Sequence, residues 1–189
     1  MPTITRTWLA FAAIGVGLIH IALVIGSPLA LGIILAVLGL TEFGWGVLTL
    51  ARETVVLPRV ALAVAVAPIV LWGLLLVTST VAKSPELAAS MVLLPLAVAT
   101  LFELFIAGTL AVHLRRRAAP HGPSPRVPSV ARYLLAVLVG GLAVASLTTP
   151  ALAATAAGLY SAPHGVQSET HVEEDEPFVL NLPEHDVGH

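Results

Sequence analysis

The sequence predicts an all-α integral membrane protein, a bundle of five transmembrane helices with its N-terminus inside the cell and its C-terminus outside. Apolar residues make up 57 % of the 189-residue chain and charged residues only 11 %, whereas soluble domains have about 25 % charged residues. The apolar residues also gather in five stretches, each long enough at 1.5 Å per residue to cross a hydrocarbon core of roughly 30 Å. The predicted spans are residues 8–26, 29–50, 60–81, 87–114 and 133–157.

The first two predicted spans form a tight hairpin. The first begins at Trp8, because tryptophan favours the membrane interface, and it stops before the helix-breaking pair Ser27-Pro28. Its apolar core is longer than the ~7 to 15 residues of a secretory signal, and further spans follow, so we interpret it as an uncleaved anchor. The second span starts directly after the break.

The other three spans carry individual signals. Pro68 lies inside the third span and is expected to kink it. The fourth span ends in the cationic run Arg115–Arg117. The fifth is rich in Gly, Ala, Ser and Thr, and small residues permit close helix packing. We therefore predict a helix contact at Gly140-Gly141.

The distribution of cations predicts the orientation. Eight arginines flank the spans on one side and only Lys83 lies on the other, so the positive-inside rule places the N-terminus in the cytoplasm. The chain then divides into a transmembrane domain, residues 1–157, and an acidic extracytoplasmic tail, residues 158–189, which we expect to be flexible. The predicted location is the inner membrane of a bacterial cell.

Two acids, Glu42 and Glu103, lie inside predicted spans, where ionisable residues are costly. Counted from the cytoplasmic ends, both lie at a depth of roughly 13 to 17 Å. If they face one another they form a proton or cation site, because two carboxylates cannot both ionise there without a cation between them. The alternative is that each is protonated and bonded to a neighbour such as Thr41, Trp45 or Thr100, helping the helices to associate.

Histidines suggest metal binding. His20 lies six residues before the outer end of the first span, on the side of the tail. The chain has no Cys, so a metal would need imidazole and carboxylate ligands, which suit Cu(II) or Zn(II). The alternative for the tail is a disordered acidic segment that keeps the outer surface soluble. Its acids are interleaved with four more candidate ligands, His164, His171, His185 and His189.

Several functions find no support in the sequence. The chain has no phosphate-binding glycine pattern, no Ser-His-Asp arrangement with supporting context and no zincin motif, so a membrane enzyme ranks third among the functions considered. We expect no nucleic-acid partner. One processing hypothesis remains. The run after Arg132 ends in Ala151-Leu-Ala153 and resembles a signal-peptide cleavage site. Cleavage after Ala153 would release the tail.

Three stretches resemble a group of small multipass membrane proteins of high-GC Gram-positive bacteria with a His-containing C-terminal tail. They are GLIHIALV in the first span, SPLALGIILAVLGLTEFGWGVL across the second, and the ending TTPALAATAAGLYSAPHG followed by spaced histidines. The resemblance implies the same topology and a link to metal handling, and it transfers no catalytic residue.

Together these observations predict a membrane protein that binds or handles copper or zinc at its extracytoplasmic face, with transport as one form of that handling. The predicted metal ligands are His20 and the four tail histidines, with Glu42 and Glu103 serving passage or proton exchange. The alternative is a non-catalytic structural or assembly subunit of a larger membrane complex. Its partners would be the lipid bilayer and either further copies of itself or other subunits.

Overall fold

Five long helices form the protein in a computed structural model, which describes residues 1–52, 54–81, 92–118 and 129–160. All five are long and apolar enough to cross a membrane, which confirms the predicted all-α membrane bundle. A sixth helix of four residues follows them. The helices are α1 (Thr3–Leu23), α2 (Leu29–Ala51), α3 (Pro58–Val81), α4 (Leu93–Ala118), α5 (Val130–Ala153) and α6 (Ala156–Leu159).

Helix α1 is the centre of the bundle. It packs against α2, α4 and α5, whereas α3 packs mainly against α4 and barely touches α2. Along α1, 61 % of the central residues are buried, against 6 % for α5. Ala10 and Ala12 are both buried although they lie about 160° apart around the helix axis, so α1 is covered on more than one face. The outer helices leave large apolar side chains exposed, as expected where lipid is the solvent.

The contact between α1 and α2 is a seam of small residues. A Cβ added to Gly39 would lie 2.7 Å from the carbonyl oxygen of Gly17, and one added to Gly46 would lie 2.9 Å from that of Ala10. The two backbones therefore touch, and the antiparallel hairpin depends on these glycines. The buried residues of α2 alternate in steps of three and four along this face: Gly32, Leu35, Gly39, Glu42, Gly46 and Thr49.

The contact between α1 and α5 depends on a tryptophan and a glycine. The indole Nε1 of Trp8 donates a hydrogen bond of 2.7 Å to the carbonyl oxygen of Ala136. A Cβ on Gly140 would lie 2.8 Å from the same nitrogen, and one on Gly141 would lie 3.9 Å from Phe11. The predicted contact at Gly140 is thus confirmed, and Trp8 joins two helices.

Helix ends differ from the predicted spans by several residues. Helix α1 starts five residues early and ends at Leu23, before Gly26, whose φ of 87° reverses the chain. Helix α4 continues to Ala118, so Arg115–Arg117 form its last turn, where cations favour the helix dipole. The fifth predicted span divides after Ala153, where a turn leads into α6.

Candidate functional site

Three ionisable side chains meet inside the bundle. The ring nitrogen Nδ1 of His20 lies 2.7 Å from Oε2 of Glu42, at hydrogen-bond distance. The other ring nitrogen, Nε2, lies 3.4 Å from Oε1 of Glu103, which is close enough for an ion pair but is not aligned as a hydrogen bond. The exposed fractions of the three side chains are 0 %, 6 % and 0 %. We call His20, Glu42 and Glu103 the buried triad.

Each member of the triad comes from a different helix, and the packing explains why they meet. Glu42 occupies the face of α2 whose glycines bring α1 close. Side chains on a helix lean toward its N-terminus, so His20 and Glu42 lean toward each other along the antiparallel pair. Glu103 lies on α4 between the buried residues Phe102 and Ile106, and this helix covers another face of α1.

The triad lies deep in the spans. Glu42 is 13 residues from Leu29 and nine from Ala51, which corresponds to roughly 20 Å and 14 Å of helix. Glu103 is ten residues from Leu93 and 15 from Ala118, or roughly 15 Å and 22 Å. Both acids are therefore remote from the ends of their helices, and their contacts with the same His20 ring place them at similar levels.

The charge of the triad is unbalanced unless it holds protons or a cation. With a neutral imidazole and two carboxylates the net charge is −2, and with an imidazolium it is −1. A low-dielectric interior disfavours both states. Two protons, one on the imidazole and one on a carboxylate, give a neutral cluster, and so does one divalent cation.

The hydrogen bonding of the triad is incomplete within the described part of the chain. His20 Nε2 and both carboxylate oxygens of Glu103 are buried without a hydrogen-bond partner there. A buried polar group left in this state costs roughly 1–3 kcal/mol, and more if it is charged. Two of these atoms, His20 Nε2 and Glu103 Oε1, lie 3.4 Å apart.

The geometry of the triad fits a small metal ion. One donor atom from each residue can be chosen so that all three lie within 4.8 Å of one another. Zinc at its usual bond lengths of about 2.0–2.2 Å holds its ligand atoms roughly 3.4 Å apart, so the longest of these separations would have to shorten by up to about 1.4 Å for the three atoms to bind one ion. Only one ring nitrogen of His20 could bind a given ion, and the two carboxylates lie on opposite ring nitrogens. The carboxyl group beside the other nitrogen would therefore have to turn toward the ion to serve as the third ligand.

A cavity of about 150 Å³ adjoins Glu42. It lies where α2 and α3 separate, and its walls include Ala61 and Ala65 of α3 together with Ile106 of α4. Glu42 is the only triad member that lines it among the described residues. The triad is thus closed on the α1 side and approached by free space on the α3 side.

The structure brings together three predicted site residues to which the sequence analysis had assigned two separate roles, metal binding and proton or cation exchange. His20 was expected to work with the tail, and Glu42 and Glu103 were expected to form a separate site. The predicted ligands His164, His171, His185 and His189 lie outside the described residues.

Two of the alternative partners expected for the acids are engaged elsewhere. The hydroxyl group of Thr41 donates to the carbonyl oxygen of Val37 at 2.6 Å, and the Trp45 indole donates to that of Val56 at 2.8 Å. The buried histidine His113 lies ten residues beyond Glu103, or roughly 15 Å along α4, and is not part of the triad.

One sequence signal for the triad was missed. The glycines at positions 32, 39 and 46 recur every seven residues, and Glu42 falls midway between two of them. This spacing marks the face of α2 that approaches another helix. It would have predicted that Glu42 faces the neighbouring helix α1, in which Gly17 and His20 lie on one face at i, i+3.

The fold and the triad define the class of this molecule: a five-helix multipass membrane protein with a histidine and two glutamates buried between its spans. No protein-family model, curated protein or solved structure matches the chain. The resemblance to small multipass proteins of high-GC Gram-positive bacteria therefore stays a prediction, as do the inner-membrane location and the cytoplasmic N-terminus.

Proposed function

We propose that this protein binds a divalent transition metal ion, zinc in the first place, at the buried triad. The observation that supports the proposal is the convergence of one imidazole and two carboxylates, from three helices, to within 4.8 Å of one another. Ionisable residues at this depth are retained in membrane proteins mainly for passage of ions or protons. Metal handling across the membrane is therefore the function that the site supports best.

Charge balance gives the proposed site its mechanism. A neutral triad holds either two protons or one divalent cation, so binding of the ion releases both protons. Metal ligands must be deprotonated, which makes the affinity fall as the pH is lowered. Because neither state leaves net charge inside the bundle, the exchange of one ion for two protons avoids the cost of a buried charge.

The donor set selects the kind of ion. One nitrogen and two oxygen ligands suit Zn(II), and Cu(II) is the second candidate, whereas Cu(I) prefers the sulfur ligands of Cys and Met. The four tail histidines, at positions 164, 171, 185 and 189, would act as a collecting segment on the outer face. In this scheme the tail raises the local concentration of the ion, and the triad provides the specific site.

Calorimetric titration tests the proposal on the full-length protein in detergent, with the four tail histidines replaced by alanine. We expect one zinc per chain, with about two protons released per ion when the titration is repeated in buffers of different ionisation enthalpy. His20→Ala and Glu103→Gln should each abolish binding. His113→Ala removes another buried histidine from the spans and serves as the matched control, which should bind zinc unchanged.

The opposite result has a clear meaning. If the protein without tail histidines binds neither Zn(II) nor Cu(II), or if His20→Ala binds as well as the control, the triad is not a metal site. The triad would then serve to hold α1, α2 and α4 together. That outcome would favour the alternative proposal of a structural or assembly subunit, for which co-purification of a stoichiometric partner is the next measurement.

A further inference from the structure

A second polar feature lies at the end of the bundle that carries the N-terminus, far from the triad. A cavity of about 560 Å³ separates the start of α3 from the end of α4. Arg59 reaches it from α3 and Arg117 from α4, and apolar walls are provided by Leu57, Val60 and Leu114. The cavity therefore combines two cations with an apolar lining.

Neither arginine is neutralised by an acid within the part of the chain that the structure describes. The ion pairs found there both belong to His20, and the side chains of Arg59 and Arg117 are exposed. The first turn of α3 adds the N–H groups of Arg59 and Val60, which have no partner within the helix. The end of α4 carries the opposite partial charge, which its three terminal arginines outweigh.

The position of the cavity indicates the kind of anion. It lies at the ends of two membrane-spanning helices, where lipid headgroups begin. Leu57 and Val60, which form part of its wall, are also exposed, and large apolar side chains such as Val66 and Val70 continue along the exposed surface of α3. A phosphate held by the arginines would leave its acyl chains lying on this surface. A soluble anion would gain nothing from these apolar contacts.

We propose that this cavity is a binding site for the headgroup of an anionic phospholipid, with Arg59 and Arg117 contacting the phosphate. Guanidinium groups bind phosphate oxygens in a bidentate manner. Basic pockets between transmembrane helices are typical sites for anionic headgroups. The lipid would hold the start of α3 to the end of α4. The site uses no residue of the triad, although Leu57 and Val60 also line the cavity beside Glu42.

Native mass spectrometry of the full-length protein tests this site. The detergent-purified protein is mixed with equal amounts of dioleoyl phosphatidylglycerol and dioleoyl phosphatidylcholine, and bound lipids are counted. We expect a preference for phosphatidylglycerol that falls roughly 25-fold in Arg59→Gln/Arg117→Gln, at about fivefold for each arginine. The matched control Arg115→Gln/Arg116→Gln removes the same charge from the same end of α4, outside the cavity lining, and should change the preference less than about threefold.

A lysine variant and a soluble competitor distinguish lipid binding from misfolding of the variant and from binding of a soluble phosphate. Arg59→Lys/Arg117→Lys keeps the charge without bidentate geometry, so it should retain an intermediate preference even if the glutamine variant is poorly folded. Displacement of phosphatidylglycerol by millimolar glycerol 3-phosphate would identify a site for a soluble phosphate and overturn the lipid assignment. Equal losses in the cavity variant and the control, or no preference in the unaltered protein, would also overturn it.

Discussion

The two neighbours of helix α2 are packed in opposite ways. Toward α1 it presents glycines, and the two backbones approach until a Cβ on Gly39 would lie 2.7 Å from a carbonyl oxygen. Toward α3 it makes few contacts, and a cavity of about 150 Å³ remains. Glu42 belongs to both sides, since it bonds to His20 in the seam and lines the cavity. The tight contact with α1 therefore positions Glu42 against His20, and the loose contact with α3 leaves free space beside Glu42.

The largest effect should come from filling the tight side. Gly39→Leu forces a side chain into the backbone of α1, so we expect a loss of roughly 3 kcal/mol or more in the free energy of unfolding. Gly44→Leu is the matched control on the same helix, because a Cβ there meets nothing within 4 Å. Thermal unfolding in detergent compares the two. Equal stability of the variants would mean that the seam is not the structural core of the hairpin.

Removing the histidine of the triad should have the next largest effect. His20→Ala leaves the two acids of the triad without the imidazole between them, and breaking a buried ion pair costs about 3–5 kcal/mol. In metal-free buffer, adding Glu103→Gln to this variant should restore part of the lost stability because one buried acid is then replaced by a neutral amide. Denaturant titration of the two variants measures the difference. If the second substitution instead adds its own full loss, the acids do not interact.

Filling the cavity on the loose side should change the rate of zinc association more than it changes the stability of the protein. Ala61→Leu places a larger side chain in the cavity beside Glu42, so zinc should associate with the triad more slowly at nearly unchanged affinity. Ala63→Leu makes the same change on the exposed face of α3 and is the control. Stopped-flow measurement of zinc binding separates them. Identical rates in the two variants would show that ions reach the triad by another path.

The smallest effects should come from two tryptophans that make similar hydrogen bonds, one beside the cavity and one away from it. Trp8→Phe removes the bond to Ala136 between α1 and α5, and Trp45→Phe removes the bond to Val56 on the loose side of α2. Each should cost roughly 0.6 kcal/mol of stability, the average for hydrogen bonds between helices in membranes. Only Trp45→Phe should also speed zinc association, because Trp45 lines the cavity. Faster zinc association in Trp8→Phe would contradict the assignment of the cavity beside Glu42 as the route of the ion.

Hydropathy was sufficient to predict the five helices, because lipid demands long apolar segments whatever their partners. Residue counts also predicted that Glu42 and Glu103 lie at similar levels, as their contacts with the same His20 ring require. Residue counts placed His20 closer to the outer end than the acids. The ring meets Glu42 because both side chains lean back along their helices, and counts of Cα positions omit that displacement.

Helix neighbours were the part that the sequence analysis could not supply. In lipid, every apolar helix face is equally well solvated, so hydropathy does not reveal which faces touch. Helix α4 packs against α1 and so brings Glu103 next to His20, but the sequence of α4 shows no regular spacing of small residues that would predict this contact. The face of α2 that contacts α1 does show such a spacing, in its glycines at positions 32, 39 and 46. Small-residue spacing is thus the better guide to partners in this chain.

The central position of α1 has a consequence for how the chain is made. The helix with the most neighbours leaves the ribosome before the other four long helices, and Glu103 follows Glu42 by 61 residues. At about 5–20 residues per second, that interval lasts roughly 3–12 s. During it, His20 and Glu42 can insert as a hairpin in which the two side chains already lie at hydrogen-bond distance. The newly made hairpin thus satisfies its own buried acid, and the second acid joins a partner that is already in place.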